Sequence, residues 1–183
     1  MKIVVYCSSR DRLDNKYQQL ARQLGTWIGN NGHTLVYGGS NAGLMHITST
    51  TVHETGGRVV GVIPEIFKHR IDPICDEVIH TPDLSARKQY MIENGDIFIV
   101  LPGGIGTLDE WISTLTVMCI DRKSSRPIIV ANIDGLFDSA INQLAGIVGT
   151  PFARNQPICQ SIIVQDVTKL LQTLETLTSD KRS

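Results

Sequence analysis

Apolar positions along the chain follow two alternating rhythms. Short runs rich in Val and Ile occur at 2–7 (KIVVYC), 33–37 (HTLVY), 58–63 (RVVGVI), 96–101 (DIFIVL) and 127–132 (PIIVAN). Runs of this length and make-up read as strands buried on both faces. Between them the apolar residues recur every three or four positions. Leu13, Tyr17, Leu20, Leu24, Trp27 and Ile28 mark an amphipathic helix, which Asn30, Asn31 and Gly32 bring to an end. Further helices are predicted over 42–55, 84–94, 107–120 and 135–148, and Val167, Leu170, Leu171, Leu174 and Leu177 mark the last. The segment 42–55 has the weakest helical preference, because Thr48, Thr50, Thr51 and Val52 are β-branched. A short strand near 77–80, a late strand at 161–164 and a frayed tail at 179–183 complete the pattern.

Strands that alternate with helices and are buried on both faces predict an α/β fold. The expectation is a single Rossmann-like domain over 1–183, with a doubly wound parallel sheet flanked by helices. Such sheets bind ligands beyond the carboxyl ends of their strands. That directs attention to the loops after 2–7, 33–37 and 96–101.

Composition narrows the function by exclusion. A formal net charge of -1 over 183 residues gives no field for holding nucleic acid or an anionic membrane, although a local basic pocket remains open. No run approaches the roughly 18 apolar residues of a membrane span. The first residues lack a secretory pattern, so a cytoplasmic location is expected. Cys7, Cys75, Cys119 and Cys159 show neither metal-ligand spacing nor a disulfide framework, and read as small buried hydrophobes in a reducing compartment. His46 and His53 are too far apart for a metal pair on one helix turn, and no H-E-x-x-H occurs, so no metal is expected.

The placement of the 16 glycines is more telling than their number. Gly38, Gly39 and Gly43 border one loop at a strand's carboxyl end. Gly103, Gly104 and Gly106 border another, in the run Leu101-Pro102-Gly103-Gly104-Ile105-Gly106-Thr107-Leu108-Asp109-Glu110. Glycines there allow a ligand close to the backbone, and the first N–H groups of the following helix favour an anion. Thr107 adds a hydroxyl, so the run fits a phosphate site. The dinucleotide fingerprint fails because Asp109 stands at its third glycine. The P-loop pattern fails because Leu44 and Met45 follow Gly43 in place of Lys and Ser/Thr. Glu110 lies one turn into the helix, off the stripe of Leu108, Trp111, Ile112, Leu115 and Met118, where it can face a ligand on the loop. A carboxylate beside a bound sugar phosphate can activate water or stabilise positive charge at C1′. Arg87 and Lys88 open the helix at 84–94 against the dipole, and an anionic ligand would favour them there. Ser8 and Ser9 follow the first strand, where either can donate to a phosphate or cap a helix.

Taken together, these motifs resemble the LOG (Lonely guy) family of cytokinin-activating phosphoribohydrolases over residues 2–175. P-G-G-x-G-T-x-x-E is present as Pro102 to Glu110, R-K-x-x-M as Arg87 to Met91, Y-G-G-x-x-x-G-L-M as Tyr37 to Met45, and G-V-I-P as Gly61 to Pro64. Cys7 to Tyr17 resembles the family's opening signature, with Ser8 where many members carry glycine. The resemblance implies a Rossmann-like fold, a homodimer, and no metal or cofactor. It also implies hydrolysis of the N-glycosidic bond of adenosine-type 5′-monophosphates, which frees the base and ribose 5-phosphate. By the same resemblance the catalytic pair falls on Arg87 and Glu110, and the phosphate loop on Gly103, Gly104, Ile105, Gly106 and Thr107. Lys88, Thr116, Gly39 and Ser8 fall on further substrate-binding positions. The chain departs from the family pattern at Leu84-Ser85-Ala86 before the arginine, at Val117 after Thr116, and at His46 after Met45. Two other readings compete: a nucleotide or cofactor carrier of the same fold, and a pyridoxal-dependent lysine decarboxylase, a label the family has often carried. The second needs a Schiff-base lysine with a pyridinium partner, for which the sequence offers no evident site.

Overall fold

The computed structural model describes residues 1–120, 126–153 and 161–179. Its seven strands form one parallel sheet. In chain order the elements are β1 (Lys2–Tyr6), α1 (Asn15–Asn30), β2 (Thr34–Tyr37), α2 (Gly43–Glu54), β3 (Arg58–Pro64), β4 (Glu77–Thr81), α3 (Leu84–Asn94), β5 (Ile97–Val100), α4 (Ile105–Ile120), β6 (Ile128–Ala131), α5 (Asp138–Ile147), β7 (Ser161–Val164) and α6 (Val167–Ser179). The sheet order is β4-β3-β2-β1-β5-β6-β7, so β1 lies at the centre and the winding reverses between β1 and β5. The doubly wound α/β fold read from the sequence is the fold of the chain.

Alternation along the strands divides the core into two layers. Ile3, Val5 and Cys7 face α1, α2 and α6, where Leu24, Ile28, Leu44, Val52 and Leu170 meet them. Val4 and Tyr6 face the other side, against Met91 of α3 and Trp111, Leu115 and Met118 of α4. Burial of both strand faces explains the unbroken apolar runs.

The β-branched segment does form a helix, α2. Thr48, Thr51 and Thr55 donate their hydroxyls to the carbonyls of Leu44, Ile47 and Thr51, each four residues back, at 2.7–2.8 Å. This satisfies the polar groups that are buried against α1. The two helices approach closely because α1 presents glycine. A Cβ on Gly25 would lie 2.8 Å from that of Thr51, and one on Gly29 would lie 2.8 Å from the Val52 carbonyl oxygen and fall on the Thr55 hydroxyl. Gly29→Ala is therefore expected to destabilise the fold by about 1–3 kcal/mol, read as a lower urea midpoint.

Some boundaries differ from the sequence reading. The mixed stretch after β3 begins as a 3₁₀ helix, Glu65–Arg70. A second 3₁₀ turn, Ile133–Gly135, precedes α5, which consequently starts at Asp138. Ile112, read as part of the apolar stripe of α4, is exposed, whereas Thr114, off that stripe, is buried. Thr114 can turn inward because its hydroxyl is satisfied within the helix, by the Glu110 carbonyl at 2.8 Å. Cys7 and Cys75 are free thiols. Cys119, contrary to expectation, is disulfide-bonded. Cys159 and the tail beyond Ser179 lie outside the described residues. Spacing gave no sign of this bond, because a disulfide depends on the fold bringing two Cβ atoms together. No helix among the described residues is long and apolar enough to cross a membrane.

Candidate active site

Both glycine loops lie at carboxyl ends of central strands, yet their chemistry differs. At the start of α2 the amides are already occupied. Gly43 N–H donates to Asp11 Oδ1 at 3.1 Å, and Leu44 and Met45 N–H donate to the Ser8 carbonyl at 2.9 and 3.4 Å. At the start of α4 the first bond that closes is Leu108 N–H to the Gly104 carbonyl at 3.0 Å. The amides of Ile105, Gly106 and Thr107 meet no acceptor among the described residues. Gly104, Ile105 and Gly106 are exposed, so the turn that carries the first of these donors is open to solvent. A run of free amides at the positive end of a sixteen-residue helix has the donors and the dipole that suit an anion. Thr107 is buried beneath it, against Gly103. A Cβ on Gly103 would lie 2.6 Å from that of Thr107, so the loop closes over the threonine only with glycine there. The Ser8 N–H ties the β1 loop to this one through the Pro102 carbonyl, at 3.2 Å.

Glu110 follows one turn later and points inward. It is 3% exposed, and its Oε1 accepts from Nη2 of Arg87, itself 8% exposed. Arg87 rises from the first turn of α3, which Asp83 caps by accepting from Ala86 N–H at 2.8 Å. The guanidinium lies against Gly38, where a Cβ would stand 3.1 Å from Nη1 and 3.0 Å from the Met45 methyl. Glycine at 38 thus makes room for the arginine. Arg87 Nε is buried and has no partner among the described residues. Glu110 Oε2 likewise accepts no hydrogen bond from them. The pair therefore keeps a donor and an acceptor in reserve. Behind Glu110, Thr114 Oγ1 lies 2.9 Å from the Tyr6 hydroxyl. Thr114 spends its own proton on the Glu110 carbonyl, so Tyr6 is the donor between them.

Burial dominates the electrostatics. Desolvation raises Glu110 from its ordinary 4.5 to about 7, although the Arg87 charge and hydrogen bond pull it down. Desolvation also pushes the Cys7 thiol far up, which removes it as a thiolate nucleophile.

Lys88 forms a second bridge from α3 to α4. Its Nζ lies 2.7 Å from both oxygens of Asp109 and 3.2 Å from Ser113 Oγ. Two parallel ion pairs thus couple the helices, one buried and one at the surface. Of the other expected positions, Ser8 is tied to the α4 loop through its N–H and the Pro102 carbonyl. Gly39 sits at φ +70 and accepts from Asp72 N–H at 2.9 Å. Thr116 is exposed farther along α4, its hydroxyl donated to the Ile112 carbonyl at 2.8 Å, and no described contact joins it to Arg87 or Glu110.

The sequence reading missed the partner of Lys88 and the network behind Gly39. Asp72 is fully buried. Its Oδ2 accepts from Tyr37 at 3.0 Å and Ser49 at 2.7 Å, and lies 3.0 Å from His46 Nδ1. The one sequence signal was His46 itself, a departure from the family pattern. Among the described residues no group of three or more His, Cys, Asp or Glu side chains is placed to hold a metal ion.

The fold and the loop define a Rossmann-like protein with a glycine-rich helix start, its first amides free, at its winding reversal. Comparison narrows the class to a family. Residues 45–174 match the family model described as "Possible lysine decarboxylase". The chain is 33% identical over 172 residues to the cytokinin riboside 5′-monophosphate phosphoribohydrolase of Mycobacterium tuberculosis, covering 93% of this chain and 91% of that one. It is 33% identical over 178 residues to LOG3 of Arabidopsis thaliana, which carries the same activity name, covering 95% and 81%. A rice relative named as a probable enzyme of this kind is 37% identical over 142 residues, and there the match spans 57% of the relative's length. The chain belongs to this family, the LOG family. Among solved structures it resembles the molybdenum cofactor carrier protein of Chlamydomonas reinhardtii (TM-score 0.74, 21% identity, 97% and 98% coverage) and TM1055 (0.76, 23%, 96% and 98%). At those identities the likeness is one of fold.

Proposed function

We propose that this protein hydrolyses the N-glycosidic bond of adenosine-type nucleoside 5′-monophosphates, releasing the free base and ribose 5-phosphate. The observation that carries the reading is the buried Arg87–Glu110 pair one helical turn from three free amides. The 5′-phosphate docks on Ile105, Gly106 and Thr107 N–H, with Gly103 and Gly104 leaving the backbone open to it. Glu110 Oε2 then faces the sugar, stabilises positive charge developing at C1′ and guides water to it. Arg87 Nε supplies a donor to the substrate, and its charge favours the carboxylate form of Glu110 against the desolvation that raises its pKa. The relatives' activity names support this chemistry over amino-acid decarboxylation. The residues agree: Lys88, the lysine beside the pair, is held by both oxygens of Asp109. The exposed apolar side chains of α4, Ile105, Ile112, Val117 and Ile120, give the proposed homodimer a face to bury.

Base release from AMP, isopentenyl-AMP and adenosine, measured side by side, tests the reading. Both nucleotides or one of them should be cleaved and adenosine should be poor. Adenosine cleaved as fast as AMP would remove the role of the helix start. Thr107→Ala keeps the backbone N–H but removes the hydroxyl, which in this reading adds a further hydrogen bond to the phosphate before and during reaction; it is expected to raise KM for AMP roughly ten-fold with little change in kcat.

A further inference from the structure

A second pocket opens beside the β1 loop, next to the strap of backbone at Ser8 that ties that loop to Pro102. It holds about 160 Å³ and is bounded by Arg10, Arg12, Gln18, Asn41, Gly43 and His46. Pockets for organic ligands usually begin near ~300 Å³, so this one suits a small ion or one group of a larger ligand. Its two arginines outnumber the single carboxylate on its wall. Arg10 and Arg12 are exposed, and neither forms an ion pair with a described residue. The one carboxylate on the wall, Asp11, is turned to the Gly43 amide. Arg12 is held at φ +61, a left-handed conformation that is unfavourable for a non-glycine residue, yet the loop keeps it at the rim. His46 places Nδ1 against the buried Asp72 carboxylate, which leaves Nε2 as its free nitrogen. The α2 amides are satisfied internally, so recognition here falls to side chains.

We propose that this pocket binds a phosphoryl anion, gripped by the Arg10 and Arg12 guanidiniums, whose forked donors match phosphate oxygens. The anion is either the distal phosphate of a longer nucleotide seated on the α4 loop or a separate inorganic phosphate bound beside the monophosphate. The first source rests on the nucleotide reading of the α4 site, whereas the second stands without it.

Calorimetric titration separates the sources. The Glu110→Gln background keeps nucleotides intact, and it is titrated with AMP, with ADP, and with inorganic phosphate after saturation by AMP; the bare protein is also titrated with inorganic phosphate. The distal-phosphate source predicts ADP binding roughly ten-fold tighter than AMP, with the gain lost in R10A/R12A. The separate-anion source predicts phosphate binding to the AMP-saturated protein, again lost in R10A/R12A. R10K/R12K should keep part of either gain, which distinguishes lost charge from a disturbed loop. The proposal is overturned if ADP has no advantage and phosphate does not bind, or if either effect survives undiminished in R10A/R12A. Arginine-dependent phosphate binding by a protein that releases no base from AMP would sustain this pocket and sink the hydrolase reading.

Discussion

Glu110→Gln is expected to lower base release from AMP by about a hundred- to ten-thousand-fold while AMP binding changes only a few-fold. Glutamine keeps the shape and one acceptor oxygen of the glutamate but removes its charge. In the proposed complex the substrate phosphate sits elsewhere, on the α4 amides, so affinity is spared. The charge matters because the bond breaks with positive character at the sugar, and a buried carboxylate stabilises it strongly in the absence of water. The same substitution has a pH signature. Burial places the Glu110 pKa near 7, so turnover by the unmodified protein should rise about ten-fold per pH unit below that value and level off above it. The variant should lose this limb. Stability should show the opposite slope. A carboxyl whose pKa is raised on folding favours the folded state fully below its unfolded value near 4.5. That contribution is lost as pH rises through about 7. The Gln variant should lack this dependence in urea unfolding.

Arg87→Ala is expected to lower turnover at pH 7 by about a hundred-fold or more, through two effects that a pH profile separates. The first is the loss of the Nε donor, which no described residue engages and which is therefore available to substrate. The second acts through Glu110. With the guanidinium gone, nothing within hydrogen-bond reach offsets the desolvation of the carboxylate, so its pKa rises further above 7 and the acid limb of the rate profile moves to higher pH. Glu110 can escape by taking a proton, so the stability loss should be milder than the roughly 3–5 kcal/mol of a broken buried pair that stays charged. Arg87→Lys should restore the position of the limb, because it restores charge, but only part of the rate, because it lacks the planar fork. Unchanged kinetics in Arg87→Ala would remove the arginine from the mechanism.

Much of this was legible before any coordinates. The strands were readable because burial on both faces forces unbroken apolar runs, and their alternation with helices forced a parallel sheet. Gly103 to Thr107 was readable because glycines at a strand-to-helix junction have few other uses, and Glu110 because it follows them by one turn. What the sequence hid depends on tertiary proximity. Nothing in the spacing of Arg87 and Glu110, or of Lys88 and Asp109, says that they pair across two helices. Asp72 lies in a stretch without periodicity, so its burial against Tyr37, Ser49 and His46 had no pattern to reveal it. The threonines of α2 argued against a helix until their hydroxyls were seen to bond back along it. The Arg10 and Arg12 pocket was hidden because exposed arginines read as solvated charges until the fold places both on one pocket wall with no ion pair to a described residue.

The most direct test of the central claim is a mass balance on purified protein incubated with AMP, with adenine and ribose 5-phosphate each quantified. The account predicts that they appear in equal amounts, with the phosphate still on the sugar, and that neither forms with Glu110→Gln. AMP that binds to the α4 loop and is recovered intact would contradict it.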